Sequence, residues 1–190
     1  MFLKILIAVV FIFLTLSFYR PRHSFYLLFI LLFTVLTIFQ FKTTNFRYEY
    51  KLLPAEVDLQ IKRMNMFPPK LARMGYILEF KKETMLLNKL QNNFFNILDF
   101  PLYFNNYFPY FTIPFFFIGL FYFFNTGRRL LQVLFFLTVT ILSFLGKNGE
   151  HGPFLIFPFF TLFIIVGFVN SVKFFRKWKT DYLDYFQLFW

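Results

Sequence analysis

Apolar positions along the chain gather into five runs. They are "KILIAVVFIFLTLSFY" (4–19), "SFYLLFILLFTVLTIFQF" (24–41), "FPYFTIPFFFIGLFYFFNTG" (108–127), "LLQVLFFLTVTILSFLG" (130–146) and "GPFLIFPFFTLFIIVGFVNSV" (152–172). A helix that crosses the hydrocarbon core needs about 20 predominantly apolar residues, within a range of roughly 17–25. The last three runs reach that length directly and the second is just long enough. The first reaches it by taking Met1–Lys4 at its edge, with the Lys4 ammonium snorkelling to the headgroups. The pattern predicts an all-α polytopic membrane protein with five transmembrane helices. A basic start and apolar core also fit a signal peptide, but "LTLSFYRPRHS" holds no small-x-small cleavage site, so the first run is expected to be retained as a helix.

Polar residues between the runs fix the turns. An arginine at a helix centre costs about 2.5–3.5 kcal/mol on the insertion scale, so Arg128 and Arg129 must mark an interface. "RPR" (20–22) and "GRR" (127–129) are therefore expected as the turns of two helical hairpins. With the N-terminus outside, the inner segments hold Arg20, Arg22, Arg128, Arg129, Lys173, Arg176, Lys177 and Lys179, against Lys4 and Lys147 in the short outer ones. The stretch 42–107 carries ten further Lys and Arg. Segments longer than about 60 residues are discounted by the positive-inside rule. The expected topology is N-out and C-in.

That threading divides the chain into an N-terminal hairpin (1–41), an extracytoplasmic helical segment (42–107), a three-helix transmembrane region (108–172) and a cytoplasmic interfacial tail (173–190). In the outer segment, "LPAEVDLQIKRMNM" reads as a helix. Pro54 stands at its first turn, Glu56 and Asp58 come early, and Lys62 and Arg63 come late, as the helix dipole favours. "FPP" (67–69) ends it, because proline disfavours helical geometry in the residue before it. A second, amphipathic helix is expected over 79–98. There Leu87, Leu90, Phe94, Ile97 and Leu98 recur at three- and four-residue spacing opposite Lys82, Lys89, Gln91 and Asn92. Its apolar face suits a bilayer surface or the cap of a bundle. In the tail, Trp178, Tyr182, Tyr185 and Trp190 interleave with charges, the composition of an interfacial helix.

Composition sharpens this picture in three places. Apolar residues make up 58% of the 190 positions and mean hydropathy is +0.59, too apolar for an ordinary soluble domain. The 37 phenylalanines fit an A/T-rich coding sequence, so their number is not taken as an aromatic binding surface. The formal charge of +11 lies mostly between and after the apolar runs. Topology control and anionic headgroups account for it, and no nucleic-acid-binding motif accompanies it. Cysteine is absent, which excludes thiolate catalysis, disulfides and Cys-based zinc or iron–sulfur sites. His23 and His151 are far apart with no metal-ligand spacing, so no metal and no cofactor is expected.

The chemistry that remains is sparse. In "GKNGEHGPF" (146–154), Glu150 and His151 could act as an acid–base pair at the membrane surface. Adjacent side chains diverge, however, and Gly146, Gly149, Gly152, Asn148 and Pro153 are what a tight interhelical turn requires. Asp99 is the other weak catalytic candidate. Arg73, Glu79 and Glu83 read as a solvated face. No Asp or Glu lies inside any apolar run, which disfavours an ion or proton pathway. Pro109, Pro114, Pro153 and Pro158 are expected as kinks near the outer ends of the third and fifth spans.

"FPPKLARMGYILEF…NNFFNILDFPLYF…YFTIPFFFIGLFYF" (67–123) resembles segments of multi-spanning membrane proteins of uncultivated small-genome bacteria, and "GPFLIFPF" (152–159) is similar to a stretch in the same proteins. The 67–123 region is also similar to the extracytoplasmic segment and late span of GT-C-type, lipid-phosphosugar-dependent glycosyltransferases. That likeness implies an outer placement of the segment. It carries no catalytic residue over: such transferases hold an acidic pair in an early outer loop, and here the loop after the first run is only "RPRH".

The resulting expectation is a non-enzymatic accessory or structural component of an envelope membrane assembly, with the lipid bilayer and a larger membrane protein as partners. Two alternatives stand beside it. One is a reduced lipid-linked sugar transferase using Glu150, His151 or Asp99. The other is a subunit of an organellar respiratory complex, in the mitochondrial inner membrane rather than the cell membrane.

Overall fold

The computed structural model describes residues 2–44, 54–146 and 152–187. The regular elements among these residues are helical, with no strand. The helices are α1 (Phe2–Tyr19), α2 (His23–Thr43), α3 (Pro54–Asn65), α4 (Ala72–Gly75), α5 (Lys82–Ile97), α6 (Phe100–Asn106), α7 (Ile113–Asn125), α8 (Arg129–Leu145) and α9 (Phe157–Gln187). Three stretches are long and apolar enough to cross a membrane: Phe2–Tyr19, His23–Thr43 and Phe154–Arg176. Tyr110–Asn125 and Arg129–Leu145 are apolar but shorter. The chain thus has the helices of a membrane protein.

The third apolar run is not one unbroken helix. Residues Tyr110–Thr112 form a 3-10 turn, and α7 begins only at Ile113, with Pro114 in its first turn. Proline is tolerated there because its missing N–H has no intrahelical partner to lose. Pro109 sits in extended geometry just before the 3-10 turn. The last run behaves differently. After a 3-10 turn at Phe154–Ile156, α9 continues without interruption through Lys173 to Gln187.

Two compact units divide the chain. The first comprises residues 1–38, 100–138 and 154–190, and α9 is its centre. Half of the Phe154–Arg176 window is buried, against 28% for Phe2–Tyr19 and 22% for His23–Thr43. α1 turns Leu6, Val10, Leu14, Ser17 and Phe18 inward, a helical stripe. Phe18 stacks on Phe123 of α7 at 5.9 Å. Phe29 and Phe33 of α2 meet Phe159 edge-on, and Phe135 of α8 contacts both Phe159 and Phe163. Phe116 joins Phe160 at 4.9 Å and Phe163 at 5.7 Å. Part of the phenylalanine excess is therefore core packing, while Phe111, Phe121, Phe174 and Phe175 stay exposed.

The tightest contact in this unit is made by glycine. A Cβ built on Gly119 of α7 would overlap the Phe163 carbonyl oxygen of α9, and one built on Gly167 would overlap the Phe115 carbonyl. The contact is reciprocal, each glycine meeting the carbonyl of the residue four before the other glycine. Only hydrogen on both Cα atoms lets the backbones come this close. The same approach sets Cα–H groups against carbonyl oxygens, weak bonds worth perhaps 0.5–1 kcal/mol each.

Both predicted hairpin turns have the same form. The Arg22 N–H donates to the Arg20 carbonyl at 2.7 Å, and the Arg129 N–H to the Gly127 carbonyl at 2.9 Å. Gly127 has φ of 70°, the left-handed region that ends α7 without a side-chain penalty. Gln132 then donates its amide to the carbonyls of Phe123 (3.2 Å) and Phe124 (2.9 Å), satisfying the open end of α7.

The second unit comprises residues 39–99 and 139–153. α3 stops at Asn65, ahead of Phe67 and Pro68, as proline dictates. Gly75 lies under the Phe67 ring, where a Cβ would be 2.8 Å from the ring carbon Cδ2. Tyr76–Phe80 form a π turn closed by the Lys81 N–H on the Tyr76 carbonyl at 3.1 Å. Lys81 is extended (φ −66°, ψ 136°), so the second helix starts at Lys82 rather than at Glu79. The Thr84 hydroxyl donates back to the Ile77 carbonyl at 2.8 Å and ties the π turn to α5.

Replacing Gly119 or Gly167 by alanine is expected to force α7 and α9 apart. The cost should be about 1–3 kcal/mol or more, in line with overpacking of a filled core. Gly127→Ala, with nothing within 4 Å of its Cβ, pays only the backbone penalty of its positive φ, of order 1 kcal/mol. Unfolding of the detergent-solubilised variants by chemical denaturant measures the difference. Equal loss at all three positions would refute the close-approach argument.

Candidate functional site

Glu150 and His151 lie outside the described residues. Asp99 is exposed at the junction of α5 and α6. Arg73 is also exposed, on α4, and Glu83 forms an exposed ion pair with Lys81 at 3.8 Å. Such a pair contributes little, since solvent screens both groups. Glu79 falls in the π turn. Among the described residues no group of three or more His, Asp or Glu side chains could hold a metal ion.

The two clearest concavities both belong to the second unit, and both use α5. The first lies between α3 and α5 and encloses about 100 Å³. It is lined by Leu59, Gln60, Arg63, Met85, Asn88, Lys89 and Asn92. Helical spacing explains the set. Gln60 and Arg63 are three apart on α3, while Met85, Asn88, Lys89 and Asn92 follow one stripe of α5. The chemistry is two cations and three amides, with no carboxylate among these lining residues. Arginine and lysine are donors only, and each amide has both donor and acceptor atoms.

Gln60 is the atypical member. It is 9% exposed, and its Oε1 is buried with no hydrogen-bond donor. An amide oxygen left this way costs about 1–3 kcal/mol.

The second concavity is a groove of about 440 Å³ between α5 and residues 140–144 of α8. Leu87, Leu90, Phe94, Phe95 and Phe144 make it largely apolar, with Gln91, Thr140 and Ser143 at its polar points. Leu87, on the predicted apolar stripe of α5, is 63% exposed, and Phe95 beside the stripe is 61% exposed. Ile97 is buried.

One buried polar residue holds α5 in place. The Asn93 amide donates to the Ser143 carbonyl of α8 at 3.3 Å. Similarly, Gln40 of α2 is fully buried and donates to the Gly152 carbonyl at 3.1 Å. Both bonds run from a side chain to a backbone carbonyl, so neither depends on a second polar side chain.

By spacing alone Lys89 and Asn92 belong to the polar face of α5 and Arg63 to the basic end of α3, while Gln60 and Asn88 carry no signal. Their joint role depends on how α3 faces α5, which the π turn at 76–80 sets. Spacing along either helix alone does not show it. No protein-family model, curated protein or solved structure matches the chain.

Asn93→Leu keeps the side-chain volume close but leaves the Ser143 carbonyl without this donor. A loss of about 1–3 kcal/mol is expected. Glu83→Gln, which removes only an exposed ion pair, should change stability by less than about 0.5 kcal/mol. Hydrogen exchange of the α5 amides reports both, and unchanged protection in Asn93→Leu would remove the proposed role of this bond.

Proposed function

We propose that the chain is a five-span, N-out and C-in membrane protein that serves as a non-enzymatic accessory component of an envelope membrane assembly. On this reading it packs beside a larger membrane protein, in the context of glycan or lipid-linked sugar handling. The observation that carries it is how little of the first two spans is used internally. Only 28% and 22% of their windows are buried. Leu27, Leu31 and Ile38 on α2 and Ile5 and Ile12 on α1 present large apolar side chains outward. In water such a surface would aggregate, and in a bilayer it meets lipid or another membrane protein.

The five-span threading is supported by the paired hairpin turns at Arg20–Arg22 and Gly127–Arg129. Arg129–Leu145 contains 17 residues, which rise about 25 Å at 1.5 Å per residue. That falls a little short of a core of about 30 Å, and local thinning of the bilayer accommodates the mismatch.

Absence of native cysteine makes topology directly testable. Single cysteines at Lys70 and Asn125, both exposed, are treated with a membrane-impermeant maleimide on intact cells. The expected result is labelling at 70 and none at 125. Labelling at both would mean that α7 and α8 do not cross. Labelling at 125 alone would invert the chain and remove the envelope reading.

The accessory role has its own test. Replacing Glu150, His151 and Asp99 together by alanine should leave the deletion phenotype fully complemented. Leu27→Ala with Leu31→Ala should reduce co-purification of a stoichiometric membrane partner several-fold in mild detergent. Loss of complementation in the triple variant would favour the transferase alternative. Purification of the wild-type chain alone would overturn the accessory reading.

A further inference from the structure

We propose that the turns at 20–22 and 127–129 together form one site for the phosphate of an anionic phospholipid, with Arg128 as its anchor. The inference rests on the five-span reading, because it needs this end of the first unit to meet lipid headgroups. Three observations lead to it.

The first is that packing brings the two turns to the same end of the unit. Phe18, two residues before Arg20, lies against Phe123 at 5.9 Å and Tyr122 at 6.5 Å. Tyr122 opens the last turn of α7, so α1 and α7 finish side by side. α9 heads the same way. Gln40, late in α2, bonds to the Gly152 carbonyl just before α9, whereas Phe29, earlier in α2, meets Phe159. α9 therefore runs antiparallel to α2, toward the turn at 20–22, and carries Lys173 and Arg176 to that end.

The second is charge. Residues 1–38, 100–138 and 154–190 hold nine Lys and Arg against two acidic residues, Asp181 and Asp184. Every one of the nine except Lys4 falls in the two turns or from Lys173 onward. That count takes in every acidic residue of these segments, and two aspartates cannot neutralise eight cations. On the five-span reading the other seven acidic residues lie across the bilayer. Such a one-sided positive field draws anionic lipid to this end.

The third concerns Arg128 itself. Its Nε is buried with no hydrogen-bond partner. Thr126 and Gln132, on either side of it in the chain, donate instead to the carbonyls of Tyr122, Phe123 and Phe124. Turning the guanidinium outward exposes Nε and breaks no hydrogen bond that Nε makes. A phosphate then supplies the missing acceptor, through the paired bonds that a guanidinium forms and an ammonium does not. Tyr19 and Tyr122, both partly exposed, add phenolic groups at this end, as suits the headgroup level.

The experiment separates a lipid site from a site for free phosphate and from diffuse attraction. Purified protein is reconstituted in nanodiscs with equal phosphatidylglycerol and phosphatidylcholine, and retained lipid is counted by native mass spectrometry. A parallel sample in lipid-free detergent is titrated with inorganic phosphate. Wild type is expected to retain phosphatidylglycerol about tenfold or more over phosphatidylcholine. Arg128→Lys keeps the charge but not the paired geometry, and should lose most of that preference. Arg20→Gln with Arg22→Gln, on the exposed first turn, should lower it several-fold, while Lys4→Gln keeps it.

Equal retention of both lipids overturns the proposal. A preference unchanged in Arg128→Lys also overturns it, because diffuse attraction depends on charge alone. No effect of the Arg20, Arg22 double variant would mean that the two turns do not form one site. Binding of inorganic phosphate without any lipid preference would reject the lipid as the ligand. The readout does not depend on which way the chain enters the disc, so such a failure leaves the topology and partner reading to the cysteine labelling and co-purification tests.

Discussion

The reciprocal contact of Gly119 and Gly167 is the constraint on which the packing of the first unit depends. Inside hydrocarbon there is no hydrophobic drive to pair helices, because lipid tails are as apolar as leucine. What remains is close packing, and backbone approach is its most efficient form. Each glycine removes the atoms that would hold α7 and α9 apart, and each meets the carbonyl of a phenylalanine four residues before the other glycine. The large rings then fill the space around the crossing. Phe116, Phe123, Phe160 and Phe163 are all fully buried and contact one another edge-on or tilted. Small residues at the crossing and large ones around it make a dense interface from an otherwise monotonous composition.

That interface was not legible in the chain. Gly119 and Gly167 sit 48 positions apart in separate apolar runs; Gly167 with Ser171 has small-x-x-x-small spacing, but Gly119 has phenylalanine four positions away on either side, so nothing in the chain pairs the two. The apolar runs themselves form helices, three of them long and apolar enough to cross a membrane. Boundaries set by proline were partly readable. Pro68 and Pro69 end α3 where the sequence requires, whereas Pro109 and Pro114 shorten the third run to α7 plus a 3-10 turn. The sequence shows that a proline interrupts, but the packing of α6 decides where the helix resumes. Phe100 and Phe104 both lie against Phe116, within the first turn and a half of α7. The start of α5 was misplaced for a related reason. Its amphipathic stripe extends back toward Glu79, but the π turn at Tyr76–Phe80 and the extended Lys81 intervene.

The candidate site was less legible still. Reading for chemistry favours titratable residues, which drew attention to Glu150, His151 and Asp99. The cavity that forms is lined mainly by amides and cations, side chains that individually look like solvated surface. Lys89 and Asn92 were read as the polar face opposite an apolar stripe, and that much is right about their position on α5. What spacing cannot convey is that α3 brings Gln60 and Arg63 to the same stripe.

The distribution of satisfied polar groups bears on where activity can reside. Within the apolar helices, hydroxyls bond to the carbonyl one turn back: Thr15 to Phe11, Ser17 to Phe13, Thr37 to Phe33, Thr138 to Leu134, Thr161 to Phe157 and Ser171 to Gly167. Such groups are consumed locally and need no partner across an interface. The side chains that do reach another segment, Gln40, Asn93 and Gln132, donate to backbone carbonyls, those of Asn93 and Gln132 in the last turns of helices. They tie one segment of the chain to another. Among the described residues, the buried side-chain polar atoms without a partner include the Gln60 Oε1 between α3 and α5 and the Arg128 Nε just before α8.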